Sequence, residues 1–107
     1  MMNRFEQRMR KRLENPEVAA GFREMAAERA LLQRLDEIRE QQHLTKEELA
    51  SRMGKHREAV SRLLNASDAN PTLETFIELL MALGITAEIT LRPAVEGEEP
   101  IKVARAG

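Results

Sequence analysis

Six polar residues fall within eight consecutive positions, Lys55, His56, Arg57, Glu58, Ser61 and Arg62, interrupted only by Ala59 and Val60. Arg and Lys bring charged donors, Glu brings acceptors, and Ser and His bring both. Such a set makes hydrogen bonds and charge contacts to a partner. It is not a catalytic set, because no nucleophile sits beside a plausible base and carboxylates are scattered along the chain. Neither His43 nor His56 lies in a cluster of carboxylates or cysteines, so both read as turn residues and not as metal ligands or general bases. Cysteine is absent, which excludes disulfides and thiolate metal sites. No catalytic residue, metal ligand or cofactor is expected.

The elements that must hold these residues follow from apolar spacing and helix-end signals. Thr45-Lys46-Glu47-Glu48 has the form of a capping box. The helix it starts carries Leu49, Ala50 and Met53 on one side and stops at Gly54, whose backbone freedom suits a tight turn. A second helix follows at once, from about His56 to Asn65, burying Val60, Leu63 and Ala59. Ala66 to Pro71 reads as a polar loop. Thr72 caps a last helix with an apolar stripe of Leu73, Phe76, Ile77, Leu80 and Leu83, ending at Gly84.

Upstream, Met2, Phe5, Met9 and Leu13 recur at helical spacing, with Arg4, Arg8, Lys11 and Arg12 on the other faces, which predicts a short basic amphipathic helix. Asn15-Pro16 starts a further helix as N-cap and first helical residue. Its apolar positions run through Val18, Phe22, Met25, Ala26, Leu31, Leu32, Leu35 and Ile38. Gly21 and a kink near Ala27 to Arg29 leave one long helix or two shorter ones open. Downstream, Ile85, Ala87, Ile89 and Leu91 alternate with polar residues up to Pro93, the pattern of a half-buried strand. A lone strand leaves a row of backbone groups unpaired, so it is expected to pair with its own copy across a two-fold axis.

The 107 residues give one domain with short appendages. The expected division is a basic segment 1–15, a helical domain 16–84, a dimerisation strand 85–93 and a tail 94–107. With 33% charged residues and no long apolar run, no membrane span is expected. The charged N-terminus does not fit a signal peptide, which suits a cytoplasmic protein. Net charge is −1, yet it is unevenly spread. Residues 1–63 hold 14 Lys or Arg against 11 Asp or Glu, and residues 64–107 hold 3 against 7.

A helix ending at Gly54, followed immediately by one that buries little, is the spacing of a helix-turn-helix, whose second helix lies in the DNA major groove. Leu44-Thr45-Lys46-Glu47-Glu48-Leu49-Ala50, Gly54, Ala59-Val60-Ser61-Arg62-Leu63, Asn70-Pro71-Thr72-Leu73-Glu74-Thr75 and Ala82-Leu83-Gly84 resemble the lambda-repressor-like or Xre helix-turn-helix family. The resemblance implies an all-α bundle of about five helices with a recognition helix from His56. It implies base contacts from Arg57, Glu58 and Arg62, with Ser61 on the same surface. Arg bonds guanine in bidentate fashion and Glu accepts from cytosine. It implies phosphate contacts from Thr45, Lys46 and His56, with Asn65 adding another. Glu58, which repels phosphate, has an alternative role pairing with Arg57 or Arg62. Lys46 stands where Gln is common, Leu64 for an acidic residue and Ala66 for Gly, and the loop from Ala66 to Ala69 is one residue longer, with Asp68 where bases are frequent.

Leu13-Glu14-Asn15-Pro16-Glu17-Val18 ahead of this block, and the strand behind it, give a layout similar to HigA-like antitoxins of type II toxin–antitoxin modules. That likeness implies a homodimer that represses its own promoter on double-stranded operator DNA and neutralises a small ribonuclease toxin. Phe5, Met9 and Leu13 are then the toxin anchors, or the same stripe packs on the bundle or its dimer mate. The alternatives are a free-standing or phage-type regulator without a toxin, and an interaction module without DNA.

Overall fold

Asn15 and Pro16 do what their types predict, the Asn15 side chain accepting the Glu17 N–H at 3.0 Å and Pro16 opening a 26-residue helix. The computed structural model describes residues 3–65 and 71–104, and of Leu13 the backbone alone. The expectations for Met2, the Leu13 side chain and the 66–70 loop lie outside the described residues. Five helices follow in order: α1 (Arg4–Leu13), α2 (Pro16–Gln41), α3 (Lys46–Met53), α4 (Arg57–Leu64) and α5 (Leu73–Leu83). The question of one helix or two over 16–41 is settled as one. Gly21 lacks Cβ contacts to lose, and the alanines and long straight-chain residues around it favour helix enough to carry the chain across.

The core belongs to the second half of α2 and to the three helices after it. Leu32 and Leu35 of α2 meet Leu44, Leu49, Ala50, Val60, Leu64, Leu79 and Leu83, with Leu49, Val60 and Leu79 fully buried. Burying each such Leu contributes about 1.5–3 kcal/mol. α3 packs on α4 and α5, and α2 packs on the same two helices. Two side chains lock the end of α5 to its neighbours: Arg52 of α3 donates to the Ala82 carbonyl at 3.0 Å, and Gln42 donates to the Leu83 carbonyl at 2.8 Å. Both are carbonyls of the last turn, where a helix lacks partners of its own.

The structure corrects several expected burials. Ala59 is exposed and Leu64 takes the buried place, while Leu63 is half-buried. On α5, Leu73 and Ile77 face outward, and Leu79 enters the core instead. That helix is apolar on more than one side, so spacing alone did not choose its inner face.

Val18, Phe22 and Met25 are exposed, because the bundle begins only at Ala27. α1 meets α2, and α1 with the first turns of α2 lies outside the buried core. The radius of gyration is 16.4 Å, against about 13 Å for a compact chain of this length.

The strand expected over 85–93 does not form within the chain: residues 85–95 carry neither helix nor strand. A strand exists through its ladder, and no described residue offers this segment one. Ile89 and Leu91 are left exposed, Leu91 at 90%. The tail is less loose than its composition suggests. Arg92 pairs with Glu98, whose carboxylate also accepts the Val95 N–H at 3.0 Å, and Val103 lines a shallow cleft together with Ala30, Gln33, Arg34 and Glu37 of α2.

Candidate nucleic-acid interface

The turn between α3 and α4 is built from backbone chemistry. Gly54 sits at φ 66°, the left-handed region that glycine enters without a Cβ penalty. Its N–H donates to Ser51 at 3.2 Å, and the Lys55 N–H donates to Ala50 at 2.9 Å, closing the last turn of α3. His56 is then the extended N-cap of α4, with no side-chain cap bond. Only Lys55 and His56 separate the glycine from the next helix, so the angle between the helices is tightly constrained.

Val60 and Leu64 anchor the inner side of α4, which fixes what faces outward. Arg57, Glu58 and Arg62 are exposed, Ser61 is half-buried, and Asn65 is the exposed C-cap. The expected pairing of Glu58 with Arg57 or Arg62 is absent among the described residues. Arg62 directs its Nε instead to the Glu58 backbone carbonyl at 3.4 Å, an i to i+4 contact that leaves the carboxylate free. Asn65 donates to the Ser61 hydroxyl at 3.4 Å, a long bond that a stronger acceptor can displace. Two guanidinium groups and one carboxylate are therefore presented on a single short helix.

At the start of α3 the capping box is complete. The Thr45 hydroxyl accepts the Glu48 N–H at 3.1 Å and donates to the Glu48 carboxylate at 2.9 Å. This carboxylate, with Glu47 in the same turn, offsets the positive end of the helix dipole. Lys46 is half-buried and has no ion pair with a described residue. His56 is exposed and free of hydrogen-bonded side-chain neighbours among the described residues. Thr45, Lys46, His56, Arg57, Glu58, Ser61, Arg62 and Asn65 thus all lie at or beside the two helix starts and the outer side of α4.

Sequence reasoning missed the restraints behind this surface. Lys55 Nζ lies 3.6 Å from Glu78 Oε2, tying the turn to α5. Arg39 donates to the Leu44 carbonyl at 2.7 Å and to Asp36 at 2.8 Å, holding the entry to α3. His43 in that entry has φ 56°, in keeping with its reading as a turn residue. Apart from Asp36 and Arg39, which stand three apart on one helix, no local spacing signals these contacts. The described residues hold no group of three His, Cys, Asp or Glu suited to a metal ion, and no helix long and apolar enough to cross a membrane.

A family model described as helix-turn-helix matches residues 35–89, slightly more than half of the chain. No curated protein and no solved structure matches it. The matched span runs from the buried Leu35 through α3, the Gly54 turn, α4 and α5, the same elements that form the core and present Arg57, Glu58 and Arg62. The chain belongs to the helix-turn-helix family, of the lambda-repressor or Xre-like kind, and is a DNA-binding transcriptional regulator.

Proposed function

We propose that the protein is a sequence-specific repressor that binds operator DNA as a homodimer and serves as the antitoxin of a type II toxin–antitoxin module, regulating its own operon. The observation that carries the DNA half is the outer side of α4, where Arg57, Glu58 and Arg62 make no side-chain ion pair with any described residue. Charged groups left unpaired on a helix that is otherwise anchored by Val60 and Leu64 are ready to exchange water for base edges. Arg57, Glu58 and Arg62 read bases, with Ser61 beside them. Lys46, His56, Thr45 and Asn65 hold phosphate, Lys46 compensating the nearby Glu48 carboxylate.

Two features support a two-fold dimer. Leu73, Ile77 and Met81 stand four apart along α5, and all three are exposed, Met81 at 76%. The segment with Ile85, Ala87, Ile89 and Leu91 follows directly, and its backbone is without a ladder. A second copy supplies both an apolar cover and an antiparallel strand. Toxin contact falls on α1, through Phe5 and Met9 and through Leu13. Phe5 is 67% exposed and Met9 half-buried. Val18, Phe22 and Met25 extend the apolar surface along α2.

The deciding experiment is a gel shift on the DNA upstream of the protein's own gene against shuffled DNA of equal length, followed by copurification with the product of the adjacent gene. A specific shift together with copurification that Phe5→Ala with Leu13→Ala abolishes is the expected result. A specific shift without copurification would leave a free-standing regulator. Absence of a shift from a folded dimer at low salt would remove the repressor reading.

A further inference from the structure

The densest positive charge on the molecule is not on the helix-turn-helix. Around α4 and the start of α3, Lys46, Lys55, Arg57 and Arg62 are set against Glu47, Glu48 and Glu58, and Lys55 is already 3.6 Å from Glu78. α1 carries Arg4, Arg8, Arg10, Lys11 and Arg12 against Glu6 alone. None of these five cations forms an ion pair with a described residue; Arg8 Nε donates only to the Arg4 carbonyl at 3.4 Å. Arg4, Arg8 and Lys11, spaced by four and three, line one side of the helix with Gln7. Phe5 and Met9 lie on another side.

Helix stability accounts for only part of this. Arg10, Lys11 and Arg12 occupy the last turn, where the dipole favours cations, but Arg4 is the first residue, where it disfavours them. A chain of net charge −1 that binds a polyanion has to concentrate its cations where the polyanion lies. Position permits it. α2 spans about 39 Å at 1.5 Å per residue, and its buried residues begin only at Ala27. The start of α2, to which α1 is joined, therefore stands about 16 Å along that axis from the first buried residue, near enough for α1 to reach duplex beyond the stretch covered by α4.

We infer that α1 is a second DNA-contacting element, its Arg4, Arg8 and Lys11 side seated on phosphates flanking the sequence that α4 reads. The inference rests on the DNA-binding reading of α4 and adds a contact that carries affinity without sequence information. Each phosphate neutralised releases counterions, so the contribution shows in salt dependence.

The test measures affinity against salt for the full chain on two duplexes of about 40 base pairs, long enough for two half-sites roughly 34 Å apart and their flanks. One is the upstream DNA and the other has random sequence. The variant Arg4→Gln, Arg8→Gln, Lys11→Gln is expected to lower the slope of log K against log salt by about 2 to 3 per bound protomer, about 5 for a dimer on two half-sites, on both duplexes, keeping the preference between them. Arg4→Lys with Arg8→Lys is expected to keep the wild-type slope. An unchanged slope in the glutamine variant overturns the inference. So does loss of preference along with affinity, which would make α1 a support for the bundle, and so does binding to anionic phosphatidylserine vesicles with the DNA slope unaltered. Arg57→Gln with Arg62→Gln separates the two readings: if preference survives that change, the reading of α4 fails, whereas the α1 slope is judged on random DNA alone.

Discussion

The Thr45 hydroxyl and the Glu48 carboxylate are bonded to each other at 2.9 Å while each also serves the other's backbone, at 3.1 Å to the Glu48 N–H and 3.4 Å from the Thr45 N–H. The start of α3 is thus stabilised before any ligand arrives, and a phosphate docking there meets a site already holding a carboxylate. Thr45→Ala is expected to lower stability by about 1 kcal/mol, the ordinary worth of an N-cap. Urea unfolding checks it. A loss close to zero would mean that Glu48 alone caps the helix.

The choice of face on α5 makes a sharp contrast. Leu79→Ala is expected to cost about 2–5 kcal/mol, because the side chain is fully buried among the core leucines. Ile77→Ala, two residues away and 47% exposed, is expected to change monomer stability by about 0.5 kcal/mol or less. Thermal unfolding under dilute, monomeric conditions compares the two. Equal losses would contradict the packing of this helix.

The proposed dimer supplies a different readout for the same surface. Leu73→Glu with Met81→Glu introduces like charge into the exposed stripe of α5, and deletion of residues 85–92 removes the unladdered segment. Sedimentation should show each variant shifted towards monomer with its helical content retained. If deletion of 85–92 leaves the dimer intact, strand pairing across the two-fold is wrong and α5 alone holds the copies together.

On DNA, Arg57→Ala or Arg62→Ala is expected to cost about 1–3 kcal/mol and to relax sequence preference, whereas Lys46→Ala should weaken all sequences alike. Binding isotherms on specific and shuffled duplexes distinguish the two outcomes. An equal loss on specific and shuffled DNA in the Arg57 variant would make that residue a phosphate contact.

The tail provides a pH test. The Arg92 guanidinium first, then the Val95 N–H, with Lys102 adding a weaker contact, holds the Glu98 carboxyl well below the usual carboxylate range. A depressed folded pKa stabilises the turn in full above the ordinary Glu value of about 4.3, and that contribution declines progressively as pH falls from there through the lower folded value. The turn should persist at a pH where a free glutamate is largely protonated. An NMR titration of the Glu98 carboxyl carbon follows this directly, and Arg92→Ala should move its midpoint upward.

Each helix start and stop in the DNA-binding half was legible in the sequence because its cause is local. Thr45 reaches Glu48, Gly54 turns its own backbone, Thr72 accepts the Thr75 N–H at 3.1 Å, and Gly84 takes φ 67°. The outward position of Glu58 and Arg62 followed from the burial of Val60, which the sequence indicated, whereas the choice of Leu64 over Leu63 and Ala59 as its buried companion came from packing. What the sequence left undecided was every choice between equivalent local options. α5 has apolar residues on several faces, so only the neighbouring helices selected Leu79 over Leu73 and Ile77. The period-two pattern of 85–91 is a strand only when a ladder exists, and the chain does not provide one. Arg52 and Gln42 reach carbonyls 30 and 41 residues away, contacts that become possible once α2, α3 and α5 have packed. Burial and long-range hydrogen bonds belong to pairs of elements, and a periodicity read along one element carries no record of its neighbour.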